Sequence, residues 1–165
     1  MKLVTLLLAM VPLTLSAQKV TVEFDETRDF SGFKTFSLLS GRIHSRNPSL
    51  NNELVTKKLD ALIRKRLTER GLSEVESKPD LNVLYSLGSG RRKQVERYGA
   101  GWRGSRTVVL HYTEGTLILS LRDARKHELV WQAIAVEDKS DPMKIQAALD
   151  DMVRKSAEKY PPKKK

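Results

Sequence analysis

Five or six short segments of alternating apolar residues, and two stretches with apolar residues at three-and-four spacing, predict an α+β fold. Helical and strand-like stretches are not interleaved as in a doubly wound protein; most strand-like stretches follow one another with short turns between them. The expectation is a single, mainly antiparallel β-sheet of about five to six strands, with two amphipathic helices packed on one face.

The elements follow in order. In Val20-Thr21-Val22-Glu23-Phe24 the apolar residues alternate with polar ones, the period of a half-buried strand. A charged turn runs from Asp25 to Asp29. A second short strand spans Phe33 to Leu39, entered through Ser31-Gly32. Residues 41–49 read as a loop. Then Val55, Leu59, Leu62, Ile63 and Leu67 share one helical face. Asn51 or Asn52 caps that helix, Glu53 suits its first turn, and Lys65, Arg66 and Arg70 suit its last. Gly71 supplies the left-handed residue that ends it.

After the proline turn at 77–80, Leu81, Val83, Tyr85 and Leu87 alternate as a third strand. Residues 88–106 read as a loop. Thr107 to Tyr112 is strand-like, and Thr116 to Leu121 alternates again. Asp123 to Glu128 turns the chain into Leu129 to Val136, the returning strand of a hairpin that carries Trp131. Asp141-Pro142 is a cap followed by proline at the first helical position, and Ile145, Ala148, Leu149, Met152 and Val153 form the second helix's stripe. Pro161-Pro162 ends it.

The chain has 165 residues and no cysteine, so the core must be held by packing without a disulfide framework. Its length suits one domain. The first residues, MKLVTLLLAMVPLTLSAQ, place Lys2 before an apolar run from Leu3 to Leu15 and small residues at Ser16 and Ala17. That order is a secretory signal peptide, expected over 1–17 and cleaved before Gln18. The run is too short for an ordinary membrane span of ~20 apolar residues. The expected organisation is therefore signal peptide 1–17, a single α+β domain 18–160 and a basic tail 161–165. The protein is expected to cross the inner membrane to the periplasm or beyond. No later segment is expected to span a bilayer, and without cysteine no lipid anchor on an N-terminal Cys is expected.

Lysine and arginine number 30 against 20 acids, a formal charge of +10; removing 1–17 takes away Lys2 and no acid, leaving +9. Export argues against nucleic acid as the partner. The polyanions met outside the inner membrane are anionic lipid, lipopolysaccharide and cell-wall polymers, and an envelope protein is the other candidate partner.

Several stretches resemble a known bacterial envelope family. Asp29-Phe30-Ser31-Gly32-Phe33-Lys34-Thr35-Phe36 is similar to that family's opening. Arg70-Gly71-Leu72, Pro79-Asp80-Leu81, Val83-Leu84-Tyr85, Tyr112 to Leu117, Asp123, Leu129-Val130-Trp131 and Tyr160-Pro161-Pro162 follow in the family's order. The family is number 4136 among the domains of unknown function. The resemblance runs from Val20 to Pro162. It implies a secreted α+β domain, often a lipoprotein, with no catalytic residues to carry over; this chain departs from it in lacking the lipidation cysteine. In the opening motif, Gly32 permits a tight turn, and Phe30, Phe33 and Phe36 are expected to form a hydrophobic corner fixing the first two strands.

No cofactor motif, phosphate loop or nucleophile elbow is present in the sequence. His44, His111 and His127 lie apart, without the spacing of a metal site, and no metal ligand or catalytic residue is assigned. Asp123, Glu128, Glu137, Asp138 and Asp141 read as turn and cap residues. A small hydrolase acting on envelope polymers would need two acids facing one cleft, for instance Asp123 or Glu137 with Asp25.

The most distinctive stretch is GSGRRKQVERYGAGWRGSR at 88–106. Its Arg91, Arg92, Lys93, Arg97, Arg103 and Arg106 offer contacts to phosphate or carboxylate, and Tyr98 and Trp102 offer stacking faces. Those eight residues are the candidate binding loop; a flexible connector with solvated charges is the alternative. The leading expectation is a non-enzymatic envelope module that binds an anionic component or a protein partner. The alternatives are the hydrolase and an accessory subunit of an envelope assembly that uses an exposed sheet edge.

Overall fold

A computed structural model of the chain describes residues 19–39, 41–88, 92–98, 106–112, 115–137 and 141–163, with side chains outside 92–98 and 106–112. The expected signal peptide, Arg91, Trp102, Arg103 and Asp138 lie outside the described residues.

The main sheet has seven strands: β1 (Lys19–Phe24), β2 (Thr35–Leu38), β3 (Arg42–His44), β4 (Ser73–Glu74), β5 (Leu81–Gly88), β8 (Thr116–Asp123) and β9 (Leu129–Val136). Among the described strands, β6 (Arg92–Tyr98) and β7 (Arg106–Tyr112) pair only with each other. The helices are α1 (Glu53–Glu69) and α2 (Pro142–Ala157).

The α+β class and the two helices are as the sequence predicts, but the sheet is mixed and larger. β1, β9, β8 and β5 run antiparallel in that order. β2 and β3 both lie along the other side of β5, parallel to it, and β4 joins β2 in parallel. The parallel half arises because α1 lies between β2–β3 and β5. A helical crossover returns the chain in the same direction, where a tight turn would reverse it.

Residues 42–44, expected within a loop, are thus a strand. β2 pairs Leu38 with Val83 and β3 pairs Arg42 with Ser86, so the β2–β3 side carries one residue more than β5. At this bulge Gly41 lies against the Tyr85 ring, where a Cβ would come within 1.9 Å of a ring carbon.

One face of the sheet, carrying Leu81, Val83, Tyr85, Leu87, Leu119, Leu121, Trp131 and Ala133, packs under the helices. The helices contribute Val55, Leu59, Ile63 and Leu67 from α1 and Ile145, Leu149, Met152 and Val153 from α2, all fully buried. The caps are Asn52, which accepts from Val55 N at 3.0 Å, and Asp141, which accepts from Met143 N at 2.9 Å. Gly71 has φ of +87° at the end of α1. The helices run parallel to each other. Lys58 Nζ donates to Gln146 O, Arg66 Nη2 to Asp150 Oδ1, and Arg70 Nη2 to Glu158 O.

The aromatic corner forms with a different set of partners. Phe30 meets Phe24, Phe33 and Tyr160 edge-on at centroid distances of 5.9–6.1 Å, and Tyr160 meets Trp131 at 5.8 Å. It therefore ties the end of β1 to the end of α2 and to β9. Phe36 is fully buried on β2.

Candidate functional site

The segment read as a loop over 88–106 contains a strand. β6 pairs with β7 from Arg92 opposite Tyr112, through Lys93 opposite His111 and Arg97 opposite Thr107, to Tyr98 opposite Arg106. The main-sheet neighbours β5 and β8 pair from Leu81 opposite Asp123 to Gly88 opposite Thr116. In both ladders the two residue numbers of every pair add to the same total. β6–β7 is therefore the in-register continuation of the β5–β8 hairpin, resumed after three residues on each strand. The β6–β7 ribbon keeps that register and has no lateral neighbours among the described strands.

The sequence hid this ribbon for a physical reason. Residues 92–98 (RKQVERY) show no apolar alternation, the local pattern by which a half-buried strand is read. Pairing there follows from ladder propagation: once Gly88 and Thr116 are opposed, adding the next rungs costs little further loop closure. Seven residues per strand extend the ribbon by ~23 Å at the usual rise.

Of the eight candidate residues, Arg92, Lys93, Arg97 and Tyr98 lie on β6 and Arg106 on β7. Arg91, Trp102 and Arg103 lie outside the described residues. The described ribbon strands carry four lysines or arginines against the single acid Glu96.

The root of the ribbon is closely fitted. Gly115 has φ of +74°, and a Cβ there would lie 2.8 Å from Glu137 O and 3.3 Å from Ile145 of α2. Glu137 N donates to Gly115 O at 2.9 Å. The same end of the sheet holds a row across five strands: Lys19, Val136, Thr116, Gly88 and His44. Arg42 and Arg46, both exposed, are beside it.

The acids singled out from the sequence fall into separate places. Asp25 and Asp123 do converge, but on Arg28: Nε donates to Asp25 Oδ2 at 3.2 Å, Nη1 lies 3.8 Å from Asp123 Oδ2, and Nη2 pairs with Glu128. The hydrogen bond from the Thr27 side chain, aided by those from Thr27 N and Arg28, holds Asp25 below the usual carboxylate range against the opposing effect of burial. Asp123 Oδ1 also accepts from Arg125 N and Lys126 N, closing the β8–β9 turn. A carboxyl that must give up a proton near neutrality needs the opposite shift. Glu137 sits at the ribbon end while Asp25 follows the far end of β1, on the order of 20 Å away by strand rise, so these two do not share a cleft.

His44 is on β3, His111 on β7 and His127 in the β8–β9 turn with φ of +56°. Among the described residues no three His, Cys, Asp or Glu side chains group as a metal site. Nor is any helix among them long and apolar enough to cross a membrane.

The fold and this site together define a small α+β domain bearing a basic β-ribbon. The chain belongs to the family of domains of unknown function numbered DUF4136, which matches residues 20–162. Among solved structures it is similar to a DUF4136 family protein from Bacteroides thetaiotaomicron, with TM-score 0.62 and 17% identity over 87% of this chain and 96% of that one. It is more distantly similar to a PelC dodecamer from Paraburkholderia phytofirmans, with TM-score 0.48 and 13% identity over 85% and 94% of the two chains. No curated protein matches the chain in sequence.

Proposed function

We propose that the protein is an exported envelope module that binds an anionic partner through the β6–β7 ribbon, without chemistry of its own. One observation carries this reading: a ladder begun in the core continues in register into a ribbon that carries Arg92, Lys93, Arg97 and Arg106. A two-stranded ribbon outside a larger sheet is marginally stable in water. A partner that neutralises its cations would stabilise it. Arginine's fork suits phosphate and carboxylate, and the glycine-rich stretch at 99–104 permits close backbone approach.

The address is part of the same proposal: the leader at 1–17 directs export, and the partner is an envelope polyanion. The test compares wild type with a variant carrying Arg92→Gln, Lys93→Gln, Arg97→Gln and Arg106→Gln. Retention on anionic vesicles, lipopolysaccharide and peptidoglycan is measured at low and moderate salt. Wild type should bind at least one of them in a salt-sensitive way and the variant at least tenfold more weakly, by ~1 kcal/mol per cation near an anionic surface. Equal binding by the two proteins would remove the ribbon from the account.

A further inference from the structure

We infer that the whole ribbon end of the domain is a docking surface for an anionic lipid bilayer; this deepens the reading above and rests on it. Three independent features meet at that end. The first is the ribbon, which leaves the sheet between Gly88 and Thr116. The second is a group of exposed cations on the body of the domain. Lys19 opens β1 opposite Val136, Arg42 lies opposite Ser86, and Arg46 follows in the adjoining turn.

The third feature is apolar. The parallel helices both start here: Ile145 in the first turn of α2 lies beside Gly115, and Thr56 and Asp60 in α1 meet the Tyr85 hydroxyl, three residues before Gly88. Each helix exposes one large apolar side chain in that first turn, Leu54 at 77% and Met143 at 62%. With Leu39, which is less open at 41%, they are the exposed large hydrophobics among the described residues. Apolar side chains beside exposed cations suit an interface where one part enters the acyl boundary and the other meets headgroups.

Of the described acids on the body of the domain at this end, Glu53 pairs with Lys57 at 2.7 Å and Asp141 caps α2.

A soluble polyanion would satisfy the cations alone. A bilayer would engage Leu54 and Met143 as well, and that difference is what the experiment reads. The protein is produced from the full chain, leader included, and purified as the exporting host processes it. Sedimentation with vesicles of phosphatidylcholine, with and without phosphatidylglycerol, is compared with binding to soluble inorganic polyphosphate. The variant Leu54→Gln with Met143→Gln keeps good helix formers at two exposed positions, so the fold is retained. It should bind phosphatidylglycerol vesicles at least tenfold more weakly, in line with two apolar side chains partly removed from water. It should bind polyphosphate as wild type does. A control with Arg125→Gln and Lys126→Gln, at the opposite end, should bind vesicles normally. Unchanged vesicle binding by the Leu54/Met143 variant overturns the bilayer surface. So does wild-type binding to polyphosphate without binding to vesicles, an outcome that leaves the ribbon's anion binding intact. Binding to neither also overturns the bilayer surface, and the ribbon's anion binding then stands or falls on lipopolysaccharide and peptidoglycan.

Discussion

Thr35 and Asp80 hold each other in both directions: Asp80 Oδ2 accepts from Thr35 N at 3.0 Å and Thr35 Oγ1 at 2.8 Å, while Asp80 N donates to Thr35 Oγ1 at 2.9 Å. Asp80 Oδ2 also accepts from Lys34 N at 3.0 Å. The clasp joins the starts of β2 and β5, and it unites two of the family's segments, Lys34-Thr35-Phe36 and Pro79-Asp80-Leu81. Asp80→Ala leaves two backbone N–H groups without their acceptor and should cost about 2–3 kcal/mol, against about 1 kcal/mol for a well-compensated hydrogen bond. Urea unfolding of the two proteins measures it.

The same clasp predicts an acid limb. Hydrogen bonds from Lys34 N first, and then from Thr35, hold the Asp80 carboxyl below its ordinary 3.8 against a partial burial effect. A carboxyl whose folded-state pKa is depressed contributes stability that is complete above the unfolded value and drains away as pH falls through the folded one. Stability should therefore fall on acidification below about pH 4, and Asp80→Asn should flatten that limb. Thermal unfolding across pH 2–7, run on both proteins, is the check.

Gly115 should resist substitution more than Gly71, though both have positive φ. A Cβ at Gly71 meets nothing within 4 Å, whereas at Gly115 it meets Glu137 O at 2.8 Å. Gly71→Ala should cost about 1 kcal/mol from backbone conformation alone. Gly115→Ala should cost roughly 2–4 kcal/mol, because overpacking adds to the strain. Denaturant midpoints for the pair decide it, and equal costs would contradict the fit at the ribbon's root.

Tyr160 packs its ring between Phe30 and Trp131, while its buried hydroxyl finds no hydrogen-bond partner among the described residues. Burial, with a smaller contribution from Asp80, pushes that phenol up to about 12. Tyr160→Phe should then change stability by less than about 1 kcal/mol, since no intramolecular bond is lost. Tyr160→Ala should cost about 3–5 kcal/mol through the cavity it leaves.

The two helices were legible because their stripes and caps are local: Asn52, Gly71 and Asp141 do what their types and positions foretell. The parallel side of the sheet was not, since β3 is three residues long and gains its place from the α1 crossover, which no local pattern encodes. The candidate site was half legible. Composition singled out Arg92, Lys93, Arg97 and Arg106, but their ribbon comes from the register of β5 and β8, which lie outside that stretch. Lys19, Arg42, Leu54 and Met143 drew no notice in the sequence, because only the topology brings them to one end.

The leader proposed at 1–17 makes a prediction of its own. Protein recovered from the envelope fraction of an exporting host should begin at Gln18, as intact-mass measurement would show. A retained Met1 would replace the secretory leader with an anchor.

The most direct test of the central claim is vesicle binding by wild type and by the Arg92, Lys93, Arg97 and Arg106 glutamine variant as salt is raised. The account of the ribbon as a bilayer-docking element predicts that wild-type affinity for phosphatidylglycerol vesicles falls steeply with salt while the variant's is weak and nearly flat. Two curves that superimpose would contradict it.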